Sequence, residues 1–127
     1  MYEDLLLLCG EQSLIALEAY KEIDGDLFPL EKRAARKFIE YIDDAITLVD
    51  YIWELDSLSG QVESGQDREL LLRARNNRIG EFRKTMDNRM NWIQEECALS
   101  QSEQLKIQGE RLLDFLGHLK SSVSQSA

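Results

Sequence analysis

The sequence predicts an all-α fold: an elongated antiparallel bundle of four helices, two long and two shorter, with a disordered C-terminal tail. The 127 residues are 43% hydrophobic, which suits the core of one domain spanning 1–127. Only seven Gly and one Pro are present, so the elements between turns must be long. That disfavours β-sandwiches and barrels, which need many turns. Between the turns, apolar residues recur at helical spacing.

The first two predicted helices cover about 3–22 and about 28–58. Apolar residues in the first recur three, four and seven positions apart, as at Leu5, Leu8, Ile15 and Ala19. Asp26 is predicted to cap the second helix, with Pro29 in its first turn, where a missing N–H does no harm. The second helix is apolar over about 160° of its circumference, against about 100° for an ordinary surface helix. We therefore expect it to lie at the centre of the bundle.

The third predicted helix, at about 67–98, follows a break that is rich in Gly and Ser. This break covers 57–66, and either Ser64 or Asp67 can cap the helix that follows it. The apolar stripe of the third helix is narrower than that of the second.

The fourth predicted helix, at about 102–120, begins at a second polar break, Ser100-Gln101-Ser102, which offers its cap. Gly109 and Gly117 interrupt it and lower its intrinsic stability. The Ser-rich segment 121–127 is predicted to be a disordered tail.

No catalytic residue, metal site or cofactor is expected. Di-iron bundles need Glu-x-x-His motifs on facing helices, and the chain has a single His, His118. Cys9 and Cys97 are far apart in sequence, and they fit small core residues in a reducing compartment. Paired carboxylates such as Asp43-Asp44 fit solvated helix faces. The chain is therefore not expected to be an enzyme.

The charge and the N-terminal sequence exclude two kinds of partner. A net charge of −9 argues against nucleic acid, because phosphate contacts need a positive surface. The N-terminus is acidic, and the longest apolar run is the four leucines at 5–8, far below the roughly 20 residues that span a bilayer. We expect no membrane insertion and a cytoplasmic location.

The two halves of the chain differ in charge, at net −11 over 1–67 and net +2 over 68–127. The basic excess clusters in the third helix, at Arg68, Arg73, Arg75, Arg78, Arg83, Lys84 and Arg89. This basic strip has two readings. It can face the acidic second helix inside the bundle, or it can form a docking surface for an acidic partner.

Several large apolar residues point to a protein-binding surface. Met86 and Met90 lie one helical turn apart, and flexible thioethers suit surfaces that repack around different ligands. Trp53 and Trp92 fall beside the main apolar seams, and an exposed Trp is typical of an interface.

Two segments resemble the flagellar type III export chaperones, most closely the FliT type. One is Asp24-Gly25-Asp26-Leu27-Phe28-Pro29-Leu30-Glu31-Lys32-Arg33, which leads to Arg36-Lys37-Phe38-Ile39. The other, 70–112, is a long helix with an Asn/Asp-rich middle that passes through a Ser/Gln turn into a Leu-rich helix. The related FlgN type, which serves hook–filament junction proteins, is a close competitor.

The resemblance implies a chaperone that holds an apolar helical segment of a flagellar cargo, such as the filament-cap protein, before export. It implies the export apparatus as a further partner. The implied cargo groove consists of Ile79, Phe82, Met86, Met90 and Ile93, with Ile46 and Trp53 of the second helix. The last helix is implied to be a regulatory lid over this groove, through Leu105, Leu112, Leu113 and Leu116.

One alternative belongs to a different class of protein. The wide apolar circumference of the second helix also fits a structural subunit that buries it in a homodimer or a larger homo-oligomer.

Overall fold

In the computed structural model, which describes residues 2–125 and side chains as far as residue 123, the chain is an all-α bundle of four helices. The helices are α1 (Tyr2–Ile23), α2 (Pro29–Gln61), α3 (Gly65–Leu99) and α4 (Glu103–Gln125). A short 3-10 turn, Asp24–Asp26, joins α1 to α2. The predicted fold class is confirmed, with two long helices of 33 and 35 residues and two shorter ones of 22 and 23.

Short connections make each helix antiparallel to the next one along the chain. Helix α2 is central, because it packs against α1, α3 and α4, and α4 closes the bundle against α3 and α1. The long helices extend about 50 Å and the shorter ones about 34 Å. The α1–α2 and α3–α4 connections lie at the same end, called here the connection end. At the other end, the α2–α3 hairpin projects beyond its neighbours.

One hydrophobic core runs through the bundle. The predicted apolar side of α2 is buried in it, at Phe38, Tyr41, Ile42, Ala45, Val49, Ile52 and Leu55. Facing residues of α3 and α4 complete the core, including Phe82, Met86 and Leu116, none of which has measurable exposure. The wide stripe on α2 is therefore filled by the chain's own helices.

The predicted caps are confirmed at two of three helix starts. The Oγ of Ser64 accepts a hydrogen bond from the backbone N–H of Asp67 at 3.3 Å, and the Oγ of Ser102 accepts one from the N–H of Leu105 at 3.2 Å. The prediction of Asp26 as the cap of α2 is wrong. Two further residues separate it from the helix, so its carboxylate cannot serve the first turn.

The predicted disordered tail begins too early. Helix α4 continues to Gln125, and Val123 is fully buried. Val123 continues a helical stripe of Leu112, Leu116 and Leu119 at steps of four, three and four residues, so the core holds the helix well past residue 120. Residues 126–127 of the predicted tail lie outside the described residues.

Within residues 2–125, none of the helices has an apolar stretch long enough to cross a bilayer.

Candidate protein-binding site

The seven residues of the implied cargo groove come together, but mostly as core. Ile79, Phe82, Met86 and Ile93 are buried, and Ile46, Trp53 and Met90 are partly buried against them. Helix α4 packs along α3. Its implied lid residues Leu105, Leu112 and Leu116 are buried, and Leu113 is half-buried. The buried members of both implied sets therefore belong to the same hydrophobic core.

Gly109 lets α4 approach α3 closely. A Cβ at this position would overlap the Sγ of Cys97 and would lie 3.5 Å from Ile93 Cγ2. Gly117 is different, because a Cβ there would meet only Met90 Cε, at an ordinary 3.7 Å. Gly109 is therefore a packing residue of the α3–α4 contact, rather than only a weak point in the helix.

An open groove lies elsewhere, at the connection end, between the start of α2 and the end of α3. Its volume is about 740 Å³. Phe28, Leu30 and Leu99 line it and are among the most exposed large apolar side chains, at 66%, 78% and 80%. The other lining residues are Glu31, Arg33, Ala34, Lys37, Trp92, Glu96, Ser100, Gln101 and Leu105. We call this feature the connection-end groove.

Trp92 forms a rigid wall of the connection-end groove. Its ring meets those of Phe38 and Tyr41 edge to face, with centroid distances of 6.2 and 5.5 Å. The guanidinium of Arg89 lies 4.6 Å from the centroid of the Tyr41 ring and reaches Asp44 at 3.4 Å. Ala34, which is buried beside the groove, has too small a side chain to fill the space next to Trp92. The groove therefore exists without any rearrangement.

Glu31 lines the groove and forms hydrogen bonds to the chain segments on both sides of it. Its carboxylate accepts hydrogen bonds from the Ser100 hydroxyl, from the Ser102 N–H at 3.2 Å and from the Phe28 N–H at 3.4 Å. The Ser100 hydrogen bond first, and the backbone N–H groups after it, lower the pKa of Glu31. One carboxylate thus joins the start of α2 to the α3–α4 connection.

The rim of the groove carries both signs of charge, with Arg33 and Lys37 on α2 and Glu96 on α3. This arrangement suits a peptide whose apolar residues enter the groove while its polar side chains meet the rim. In the part of the chain that the structure describes, no three His, Cys, Asp or Glu side chains converge as metal ligands would.

Both cysteines are free thiols whose pKa values are raised by burial. Cys9 is buried, and burial raises the pKa of its thiol to about 11. Burial is also the main cause of the raised pKa of the half-buried Cys97. Both thiols are protonated at neutral pH and are therefore weak nucleophiles. Cys9 behaves as the small core residue that the sequence predicts.

The basic strip of α3 is largely used inside the bundle. Arg75 pairs with Asp56, Arg89 pairs with Asp44, and Arg78 stacks over Tyr51. Arg68 donates to the carbonyl oxygens of Ser59 and Val62, each at 3.1 Å. These contacts support the reading in which the strip faces α2. Only Arg73, Arg83 and Lys84 of the strip point to solvent without such a contact among the described residues.

Sequence reasoning missed the connection-end groove. A signal for it was present, since Leu30 falls outside the apolar stripe of α2 and Phe28 and Leu30 flank Pro29 at the helix start. Leu99 lies just past the predicted end of the third helix. What the sequence could not show is that these three side chains meet at one place.

Comparison of the chain with protein families, with curated proteins and with solved structures found no match.

Proposed function

We propose that this protein is a non-enzymatic chaperone or adaptor that holds an apolar helical segment of another protein in the connection-end groove. One observation carries the proposal. Phe28, Leu30 and Leu99 are exposed around a single preformed groove walled by Trp92. Burying these three side chains against a partner gains about 5–9 kcal/mol before the costs of association. An immobilised aromatic wall lowers those costs, because it loses little freedom on binding.

The nature of the cargo comes from the sequence resemblance alone. On that basis we propose a flagellar protein exported by the type III pathway, such as the filament-cap protein, with binding in the cytoplasm. A hook–filament junction protein is the alternative cargo. The segments that carry the resemblance contribute Phe28 and Leu30, and also Trp92 and Leu99, to the groove.

The regulatory role of α4 belongs to the same proposal, in a restricted form. Gln101 and Leu105, at the start of α4, line the groove, so an occupant touches this helix directly. Complete release of α4 would expose six buried apolar side chains: Leu105, Leu112, Phe115, Leu116, Leu119 and Val123. At about 1.5–3 kcal/mol each, that cost is comparable to the whole stability of a domain. The first turn of α4 is therefore the part best placed to respond to cargo.

Matched glutamate substitutions test the groove. Leu30→Glu and Leu99→Glu place a charge inside it, and Leu70→Glu places the same charge at another exposed leucine, on the projecting hairpin. Calorimetric titrations with purified filament-cap and junction proteins should show binding to the wild-type chain and to Leu70→Glu. Binding to the two groove variants should be lost, with helicity by circular dichroism unchanged.

Two results would go against the proposal. If neither protein binds the wild-type chain, the flagellar assignment fails. If a cargo binds both groove variants as it binds the wild type, the groove is not its site.

A further inference from the structure

We propose that the outer face of α1 is a second docking surface, which takes a basic amphipathic helix of a partner protein. The surface consists of Leu7, Gly10, Leu14 and Leu17 and is called here the α1 seam. No residue of α1 lines the connection-end groove, so this inference does not rest on the proposed function.

The α1 seam is apolar and exposed. Leu7, Leu14 and Leu17 have exposed fractions of 68%, 63% and 38%. At 100° per residue, Leu7 and Leu14 lie on the side of the helix opposite the buried Tyr2, Leu5 and Cys9, and Leu17 lies on the flank between the two sides. Together with Gly10 they follow steps of three, four and three residues. That is the spacing with which one helix packs along another.

Among the described residues, no neighbouring helix packs so closely on Gly10 that a glycine is required there. A Cβ at this position would meet no atom within 4 Å, and its backbone has ordinary helical geometry. A glycine in the middle of a helix destabilises it relative to alanine. In a helix–helix contact, a glycine at a seam position instead leaves a hollow for a large side chain of the partner. At Gly10 that hollow would lie in line with the exposed Leu7, Leu14 and Leu17.

Charge selects the partner. Helix α1 carries five acidic residues and one basic residue. Glu11 and Glu18 are exposed beside the seam, four residues after Leu7 and Leu14, and neither is paired with a cation among the described residues. A second copy of this chain would bring like charges together along the contact, which is unfavourable. Lysine or arginine flanking an apolar stripe on a partner helix would pair with these carboxylates instead.

Two synthetic peptides of about three heptads test this inference. One has Leu at positions a and d with Lys at e and g, and its twin has Glu at e and g. Fluorescence anisotropy with labelled peptides should show that the Lys peptide binds the full chain and the Glu peptide does not. The variant Leu7→Gln/Leu14→Gln keeps the charge and should bind the Lys peptide at least about tenfold more weakly. Leu70→Gln is the matched control and should bind as the wild type does.

Three results would overturn the inference. Equal binding of the two peptides would show that charge does not select the partner. Wild-type affinity in the double glutamine variant would show that charge alone attracts the peptide. Light scattering that shows a dimer in the wild type and a monomer in that variant would make a second copy the occupant. The groove variant Leu30→Glu should bind the Lys peptide normally, so a failure at the groove and a failure at the seam are distinguishable.

Discussion

Helices α1 and α4 have nearly the same length, 22 and 23 residues, but they are anchored very differently. Helix α4 buries large apolar side chains from Leu105 to Val123, at nearly every turn. Helix α1 buries Tyr2, Leu5 and Cys9 near its start and Ile23 at its end, and it leaves four large apolar residues exposed between them. Both helices are rich in leucine. The difference shows that the position of apolar residues around the helix, rather than their number, decides how many of them the helix buries.

The largest expected effect comes from truncating one leucine in each helix. Leu116→Ala, in α4, removes a side chain with no exposure and should lower the free energy of unfolding by about 2–5 kcal/mol. Leu14→Ala, in α1, removes a side chain that is 63% exposed and should change it by less than about 0.5 kcal/mol. Urea denaturation followed by circular dichroism measures both. Similar losses for the two variants would contradict the contrast between the helices.

The two glycines of α4 differ in how closely α3 packs against them, and so should their alanine variants. Gly109→Ala should lower the free energy of unfolding by about 1–3 kcal/mol, because its Cβ overlaps Cys97. Gly117→Ala has room and should be neutral or stabilising by up to about 1 kcal/mol. Adding Cys97→Ala to Gly109→Ala should restore most of the loss in a double-mutant cycle. Additive losses in that cycle would show that Cys97 is not the obstacle.

Glu31 anchors the start of α4 and gives a pH-dependent test. Its folded-state pKa is lowered, chiefly by the Ser100 hydroxyl. The stabilisation is therefore complete above the unfolded-state pKa of about 4.3 and is lost as the pH falls through the folded-state pKa. Glu31→Gln should lower the free energy of unfolding by about 1 kcal/mol at pH 7, after allowance for partial exposure. The gap between variant and wild type should shrink below about pH 4. A gap that does not change with pH would contradict the assignment.

The smallest effect is expected in α1. Gly10→Ala should raise the free energy of unfolding by about 0.5–1 kcal/mol, because a Cβ meets nothing and the helix gains propensity. Thermal unfolding, compared with Gly117→Ala, measures this. A destabilised Gly10→Ala variant would mean that the glycine serves the fold of the lone chain.

Much of the fold could be predicted from the sequence, because helical periodicity is strong and turn residues are few. The predicted boundaries lie within three residues of those observed, except at the end of α4. There the Ser-rich composition of 121–125 hid the fact that Val123 continues the apolar stripe. The cap of α2 was also missed, because Asp26 fits by residue type and only the extended backbone after it removes it from the helix start.

The candidate site could be predicted only in part. The sequence indicated more apolar surface than one bundle would bury, and we expected that surface on α2. In the structure the other helices of the chain bury the apolar stripe of α2. The groove depends on Phe28, Leu30 and Leu99, which meet only because both connections lie at one end of the bundle. The three side chains are brought together by the order of the helices, and the small Ala34 leaves space beside them. The periodicity of a single helix shows neither of these features.

The emission of Trp92 tests the central claim most directly. In a Trp53→Phe chain, Trp92 is the single tryptophan, and it forms the wall of the connection-end groove. Addition of the filament-cap or junction protein, prepared without tryptophan, should shift and saturate the Trp92 emission, and Leu30→Glu should abolish the change. Binding by calorimetry with no change in Trp92 emission would show that the partner binds elsewhere on the bundle, and the account of the groove would be wrong.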